Sequence, residues 1–149
     1  MPQVTSREMK VVIVGCGRVG SSVAKQLAGE GWDVTCVDDD ETALGRLGDW
    51  RGGFVVGHGM DLEVLERAGI ATADAAVIST DGDNSNVVIG QVVQRRYQLG
   101  CVVVRVLDPR RAEFYAERGL QTVCPTKTAI ATLAEIVRTY ESTPVGSTG

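Results

Sequence analysis

Three glycines, Gly15, Gly17 and Gly20, stand in the order GxGxxG within the stretch VVIVGCGRVGSSVA, residues 11–24. A run of β-branched residues precedes them and an alanine- and serine-rich segment follows, so they fall where a strand turns into a helix. The chemistry such a turn supports is anion binding, because a helix N-terminus presents free N–H groups and the positive end of its dipole. The first glycine permits the tight turn. The second lets the backbone approach a pyrophosphate, and the third lets the helix pack closely on the sheet. Asp38 ends the next strand about 20 residues further on, where a carboxylate can accept both hydroxyls of a ribose.

These residues point to an adenine nucleotide or dinucleotide. Gly15, Cys16, Gly17, Arg18, Val19 and Gly20 are the candidate phosphate-loop residues and Asp38 is the candidate ribose acid. Arg18 is read as lying over the phosphates, against the alternative of a solvated first-turn arginine. Asp39 and Asp40 extend the acidic cluster, so a 2′-phosphate would meet charge repulsion and NADP is disfavoured. Asp40 also fits the N-cap of the segment that follows. His58, the single histidine, lies in a glycine-flanked loop. It is read as an adenine-side contact or a plain loop residue rather than a general acid or base. Asp81, Asp83, Asn84 and Asn86 could suggest a cation site, but a helix N-cap with an acidic first turn explains them more simply. The threonines of CPTKTA are read as capping the last helix.

The elements that must position these residues alternate along the chain. Strands are expected at 10–14, 32–38, 52–57, 74–80, 101–107 and 121–125. Helices are expected at 18–29, 41–50, 61–68, 83–99, 109–119 and 126–140. Pro109 suits the first turn of its helix. This βα alternation implies an α/β fold: a Rossmann-like, doubly wound, parallel six-stranded sheet in the order 3-2-1-4-5-6 with helices on both faces. Residues 1–9 read as an N-terminal extension, 10–140 as one Rossmann-type domain, and 141–149 as a disordered tail.

Composition sets the outer limits. The chain has 149 residues, 44% hydrophobic and 23% charged, enough for one domain with a real core. The net charge of −4 weighs against nucleic-acid binding. No apolar run is long enough to insert into a membrane, and the N-terminus lacks a hydrophobic signal core, which points to a cytoplasmic protein. Cys16, Cys36, Cys101 and Cys124 include no CxxC pair and are expected to be reduced core residues. No metal ligand set is read from the chain.

The segments VGCGRVG, VDDD, GHGMDLEVLERAGI, ADAAVISTDGDNSNVVIGQ, VVVRVLDP and GLQTVCPT, taken in that order across about residues 10–140, resemble the TrkA N-terminal domain, the nucleotide-binding lobe of RCK proteins. The resemblance implies a cytoplasmic regulatory subunit or domain of a potassium transport system. It would bind NAD(H) or ATP/ADP, sit peripheral to the inner face of the cell membrane, and gate a potassium-translocating membrane protein of the Trk or Ktr type. By position, Gly15, Gly17, Arg18 and Gly20 match the family's phosphate loop and Asp38 its ribose acid. Gly57 to Asp61 matches the adenine-side segment, with His58 and Met60 in place of the usual aspartate and threonine. Ser79, Thr80 and Asp81 match the loop near the nicotinamide or distal phosphates. Asn86 matches a recurrent asparagine, and Arg105 a basic residue facing the phosphates. Thr126 stands where family members often carry an acid. Full-length members usually continue into a small C-terminal lobe; the resemblance here covers the N-terminal lobe alone.

An alternative is a small NAD-dependent oxidoreductase or another adenine-nucleotide-binding Rossmann enzyme. The Tyr-x-x-x-Lys pair of short-chain reductases is absent: Tyr97, Tyr115 and Tyr140 are followed four residues later by Cys101, Gly119 and Pro144. A methyltransferase usually has an acidic end to its first strand, whereas Val11–Val14 is apolar. Site chemistry and resemblance therefore favour ligand sensing over catalysis. The distinguishing end of ATP against ADP, or NADH against NAD, should fall near Arg18, Thr80 and Arg105. Ala129, Ile130, Leu133, Ile136, Val137 and Tyr140 recur at helical spacing on the last helix. That helix follows an edge strand, so part of the stripe is expected to meet a second copy in a homodimer or higher ring. NVVIGQVV, residues 86–93, is a second candidate surface.

Overall fold

The computed structural model describes residues 7–142. Lys10–Val14 forms the central strand, β1. Its side chains alternate, Val11 and Ile13 to one face and Val12 and Val14 to the other, and none of the four exceeds 2% exposure. A strand covered on both faces is a continuous apolar run, as parallel sheets require.

The remaining strands are β2 (Asp33–Asp38), β3 (Gly53–Val56), β4 (Ala75–Ile78), β5 (Cys101–Arg105) and β6 (Gln121–Val123). All pair in parallel, in the order β3-β2-β1-β4-β5-β6. The order reverses at β1, which lies between β2 and β4, and ligands of open α/β sheets bind above such a switch point. Helix α1 (Arg18–Gly29) and a 3-10 segment at Glu41–Leu47 cover the Val11/Ile13 face through Ala24, Ala43 and Leu47. Helices α2 (Leu62–Arg67), α3 (Asp83–Arg96) and α4 (Pro109–Glu117) cover the other face through Val64, Leu65, Val87, Ile89, Val93 and Ala112.

Several local expectations need correction. The segment after β2 is a seven-residue 3-10 helix rather than an α-helix. Asp40 caps it by accepting from the Thr42 N–H at 2.9 Å, and Gly48, at φ +65°, ends it. Helix α3 stops at Arg96, earlier than expected, and its N-cap is Gly82, which makes no side-chain cap bond. Asp83 belongs to its first turn but is turned across to the next loop, accepting from the N–H groups of Leu107 at 2.8 Å and Asp108 at 3.1 Å.

The last helix, α5, runs Pro125–Ser142 and takes in the first two residues expected in the tail. Residues 1–6 of the expected extension and 143–149 of the expected tail lie outside the described residues. At its start the Cys124 sulfur, not a threonine, accepts the Lys127 N–H at 3.3 Å. Ile130, Leu133, Ile136, Val137 and Tyr140 are 59–77% exposed, so the stripe closes no core within its own chain. Of the second candidate surface, Val87, Ile89 and Val93 are buried against the sheet and only Val88 and Val92 remain outside among the large apolar side chains.

Candidate functional site

The turn after β1 is built by what its glycines leave out. Gly15 has φ +96°, and a Cβ there would lie 2.6 Å from the backbone of Ser79 and Thr80. A Cβ on Gly20 would stand 1.8 Å from the Gly15 carbonyl oxygen. These two glycines let α1 and the loop after β4 close on the turn. Gly17 is different: a Cβ there would meet nothing within 4 Å, because the residue faces an open cleft. It is the N-cap of α1 and makes no side-chain cap bond, and the first turn carries no acid. The leading N–H groups of α1 are therefore left to a ligand, and an anion suits them.

The turn is held from both sides. The Gly15 N–H donates to the Val37 carbonyl at 2.8 Å. The Ser79 hydroxyl, buried, donates to the Gly15 carbonyl at 3.1 Å. The Cys16 N–H donates to Oδ2 of Asp38 at 2.8 Å, and Oδ1 of the same carboxylate accepts from the Asp40 N–H at 2.9 Å. Each Asp38 oxygen thus makes one backbone bond and keeps acceptor capacity for a hydroxyl.

The cleft has a volume of about 750 Å³ and runs across the carboxyl ends of β1, β2 and β4. Its walls bring together Gly15, Gly17, Arg18 and Val19 of the turn, Asp38 and Asp39 after β2, Gly57 and His58 after β3, Ser79, Thr80 and Asp81 after β4, and Arg105 at the end of β5. Two of the expected site residues do not line it. The Cys16 and Gly20 side positions are buried beneath the turn, and Cys16 contributes only backbone atoms. Arg46, Gly82 and Ser85 line it without having been expected there, and Asp40 of the acidic cluster and Gly59 of the adenine-side segment line it too. Arg46 was hidden because a 3-10 path turns every three residues and re-aims side chains relative to an α-helix. The only sequence signal was a basic residue in the first crossover after the acid.

The two ends of the cleft differ in chemistry. At the β2 end, Asp38, Asp39 and Asp40 gather three carboxylates. Hydrogen bonds from the Thr42 hydroxyl and N–H, with a smaller contribution from the Arg46 charge, hold the Asp40 carboxyl below the usual carboxylate range. His58 Nδ1 accepts the Met60 N–H at 3.2 Å, which leaves the proton of a neutral ring on Nε2.

At the β5 end, Asn86, fully buried, clamps the loop. Its Oδ1 accepts from the Thr80 N–H at 2.9 Å and from the Thr80 hydroxyl, while its Nδ2 donates to the carbonyls of Thr80 and Arg105 at 3.0 Å. One Arg105 Nη2 donates to the Thr80 carbonyl at 2.6 Å. Its Nε is buried without a partner. A buried donor left unmade is unfavourable, so a guanidinium facing the cleft with donors to spare fits an anionic group there. With the uncapped α1 terminus, the open side of Gly17 and the spare acceptors of Asp38, the residues present fit a ribose-and-pyrophosphate ligand.

Other groups are set apart from the cleft. The Cys36 thiol is pushed well above the ordinary thiol range by its hydrogen bond to Cys16 and by burial, so this pair is packing rather than reactive. Among the described residues, no group of three or more His, Cys, Asp or Glu side chains is arranged to hold a metal ion. No helix among them is long and apolar enough to cross a membrane.

Comparison with known proteins places the chain in a family. Residues 11–126 match the family described as TrkA-N domain. The chain is 42% identical over 120 residues to the Trk system potassium uptake protein TrkA of Streptomyces coelicolor, across 80% of this chain and 54% of that protein. It therefore spans about half the length of that curated relative. Among solved structures, the Kef C-terminal domain of Shewanella denitrificans in its AMP-bound form superposes with a TM-score of 0.75 at 23% identity, over 90% of this chain and 82% of that one. GsuK bound to ADP superposes with a TM-score of 0.77 at 18% identity, over 91% of this chain and 35% of that one. The GsuK channel bound to NAD superposes with a TM-score of 0.64 at 19% identity, over 83% of this chain and 22% of that one. At these identities the structural likeness is one of fold.

Proposed function

The chain belongs to the TrkA-N domain family, and we propose that it is the nucleotide-sensing domain of a potassium uptake system. It binds NAD(H) or ATP/ADP in the cleft and passes the state of that ligand to a potassium-translocating membrane protein of the Trk or Ktr type, on the cytoplasmic side. The observation that carries this reading is the pairing of two features across one cleft. A glycine turn with an uncapped α1 terminus and Asp38 fit adenosine diphosphate. Thr80 and Arg105 line the far end, which supports a role for them in meeting the portion by which such ligands differ.

Sensing rather than catalysis is supported by the cleft's own side chains. His58 is its only imidazole, and its Nδ1 is engaged by backbone. The cysteines nearest the turn, Cys16 and Cys36, are buried. A sensor needs two states that its ligands bind unequally. Here the second state is a different setting of the Thr80–Arg105 wall, transmitted through a homodimer or higher ring joined along α5. Calorimetric titration with NADH, NAD, ATP and ADP tests the reading. Tight binding of one pair with unequal affinities supports it. Failure to bind any of the four, or protein-dependent consumption of NADH with a carbonyl substrate, would overturn it.

A further inference from the structure

We infer that Arg46 reads the base of the nucleotide, offering the flat face of its guanidinium to the purine; this rests on the nucleotide reading of the cleft. Arg46 projects from the 3-10 segment into the end of the cleft framed by Asp38, Asp39, Asp40 and His58. Its Nη1 donates to the Cys16 carbonyl at 3.2 Å. That bond ties one edge of the guanidinium to the phosphate turn, and the side chain is otherwise exposed to the cleft. Although three carboxylates share the wall, none among the described residues lies within ion-pair distance of it. The cation is positioned but not neutralised by contact.

Two ligand groups could meet such a cation at the adenosine end. One is an anion, such as a phosphate on the ribose; the other is the π face of the base. A ribose phosphate would sit beside Asp38, Asp39 and Asp40, and like charges crowded into one site repel. A purine carries no charge and has an extended π face, and a guanidinium stacks on such faces. The same stacking falls off with a smaller pyrimidine. Arg46 is therefore a specificity residue whose signature is a preference among bases, not a general gain in nucleotide affinity.

The test compares ADP with UDP, which share ribose and diphosphate, on wild type, Arg46→Ala and Arg46→Lys. Wild type should prefer ADP. Both variants should weaken ADP by about 2- to 20-fold and leave UDP nearly unchanged, so that the ADP/UDP ratio collapses. Lysine keeps the charge and can still reach the Cys16 carbonyl but lacks the plane, so it should not restore the ratio. Equal weakening of both ligands would mean Arg46 only positions the turn and would overturn the inference. A ratio restored by lysine would overturn it too. If wild type bound neither nucleotide, the reading of the cleft itself would fall; if wild type binds and the ratio does not move, only the role of Arg46 fails. Thermal unfolding of Arg46→Ala reports separately on the lost bond to Cys16.

Discussion

The Asp38 carboxylate holds the phosphate turn from across the cleft: its Oδ2 accepts the Cys16 N–H at 2.8 Å. The ribose acid is thus also a structural tie between the end of β2 and the turn after β1. Asp38→Ala removes both. Nucleotide affinity should fall by about 10- to 150-fold, the range for a hydrogen bond to a charged group. Unlike a simple surface acid, its loss should also lower the unfolding midpoint, because the buried Cys16 N–H is left unpaired. Calorimetry and thermal unfolding on the same sample check both. Unchanged affinity would refute the ribose assignment.

Gly17 and Gly20 should separate binding from folding. Gly17→Val places a side chain in open cleft and should abolish nucleotide binding with circular dichroism close to wild type. Gly20→Ala drives a methyl group against the Gly15 carbonyl, 1.8 Å away. It should destabilise the fold by about 3 kcal/mol or more, read as a shifted urea midpoint. Equal behaviour of the two variants would contradict the division of labour in the turn.

Asn86 joins the loop after β4 to the end of β5. Asn86→Ala leaves the Thr80 N–H and the Arg105 carbonyl without their side-chain partner, while the Thr80 carbonyl keeps Arg105 Nη2. Stability should drop by about 1–3 kcal/mol, measured by denaturant unfolding. Affinity should fall most for the ligand with the larger distal group, while the preference for adenine over uracil stays.

Acid should loosen the base of the sheet, at the end away from the cleft. Hydrogen bonds from Arg7 and from the Lys10 N–H hold the Asp74 carboxyl below its ordinary value of 3.8. A carboxyl with a depressed folded value contributes stability that is complete above the unfolded value and is lost as pH falls through the folded one. Wild type should therefore lose more stability than Asp74→Asn between pH 5 and pH 2, roughly the span of that titration. Urea midpoints across that range decide it; parallel curves would show that the Arg7–Asp74 pair contributes nothing.

The parts of this molecule legible in its sequence are those where one residue type answers one physical demand. The apolar run Val11–Val14 reads as a strand covered on both faces, and GxGxxG after it, with Asp38 at the end of the next strand, reads as a tight turn into a helix. Strand order followed from them. What stayed hidden depends on where side chains aim. Asp83 stands in the acidic first turn expected of α3, but its carboxylate bonds the N–H groups of Leu107 and Asp108, partners 24 and 25 residues away. Ser79 lines the cleft, yet its hydroxyl bonds the Gly15 carbonyl rather than facing outward. Arg46 enters the cleft only because residues 41–47 take a 3-10 path. Such choices are settled by tertiary contacts that no local pattern records.

Self-association should map to α5. Wild type should sediment as a dimer at micromolar concentration, and Ile136→Glu, which puts a charge in the middle of the exposed stripe, should run as a monomer that still binds nucleotide. A monomeric wild type would remove α5 as an interface.

The exposure of α5 ties its own secondary structure to mass action. It has 18 residues, about 27 Å of helix, and Leu133 and Tyr140 are 65% and 77% exposed. Helices in proteins draw most of their stability from packing an amphipathic face, and the face of α5 is left uncovered by its own chain. Its helicity should therefore rise with protein concentration, as chains meet and cover one another's stripes. Diluting the protein should lower the far-ultraviolet helical signal per residue while the sheet stays intact. Ile136→Glu should show the low-concentration spectrum at every dilution.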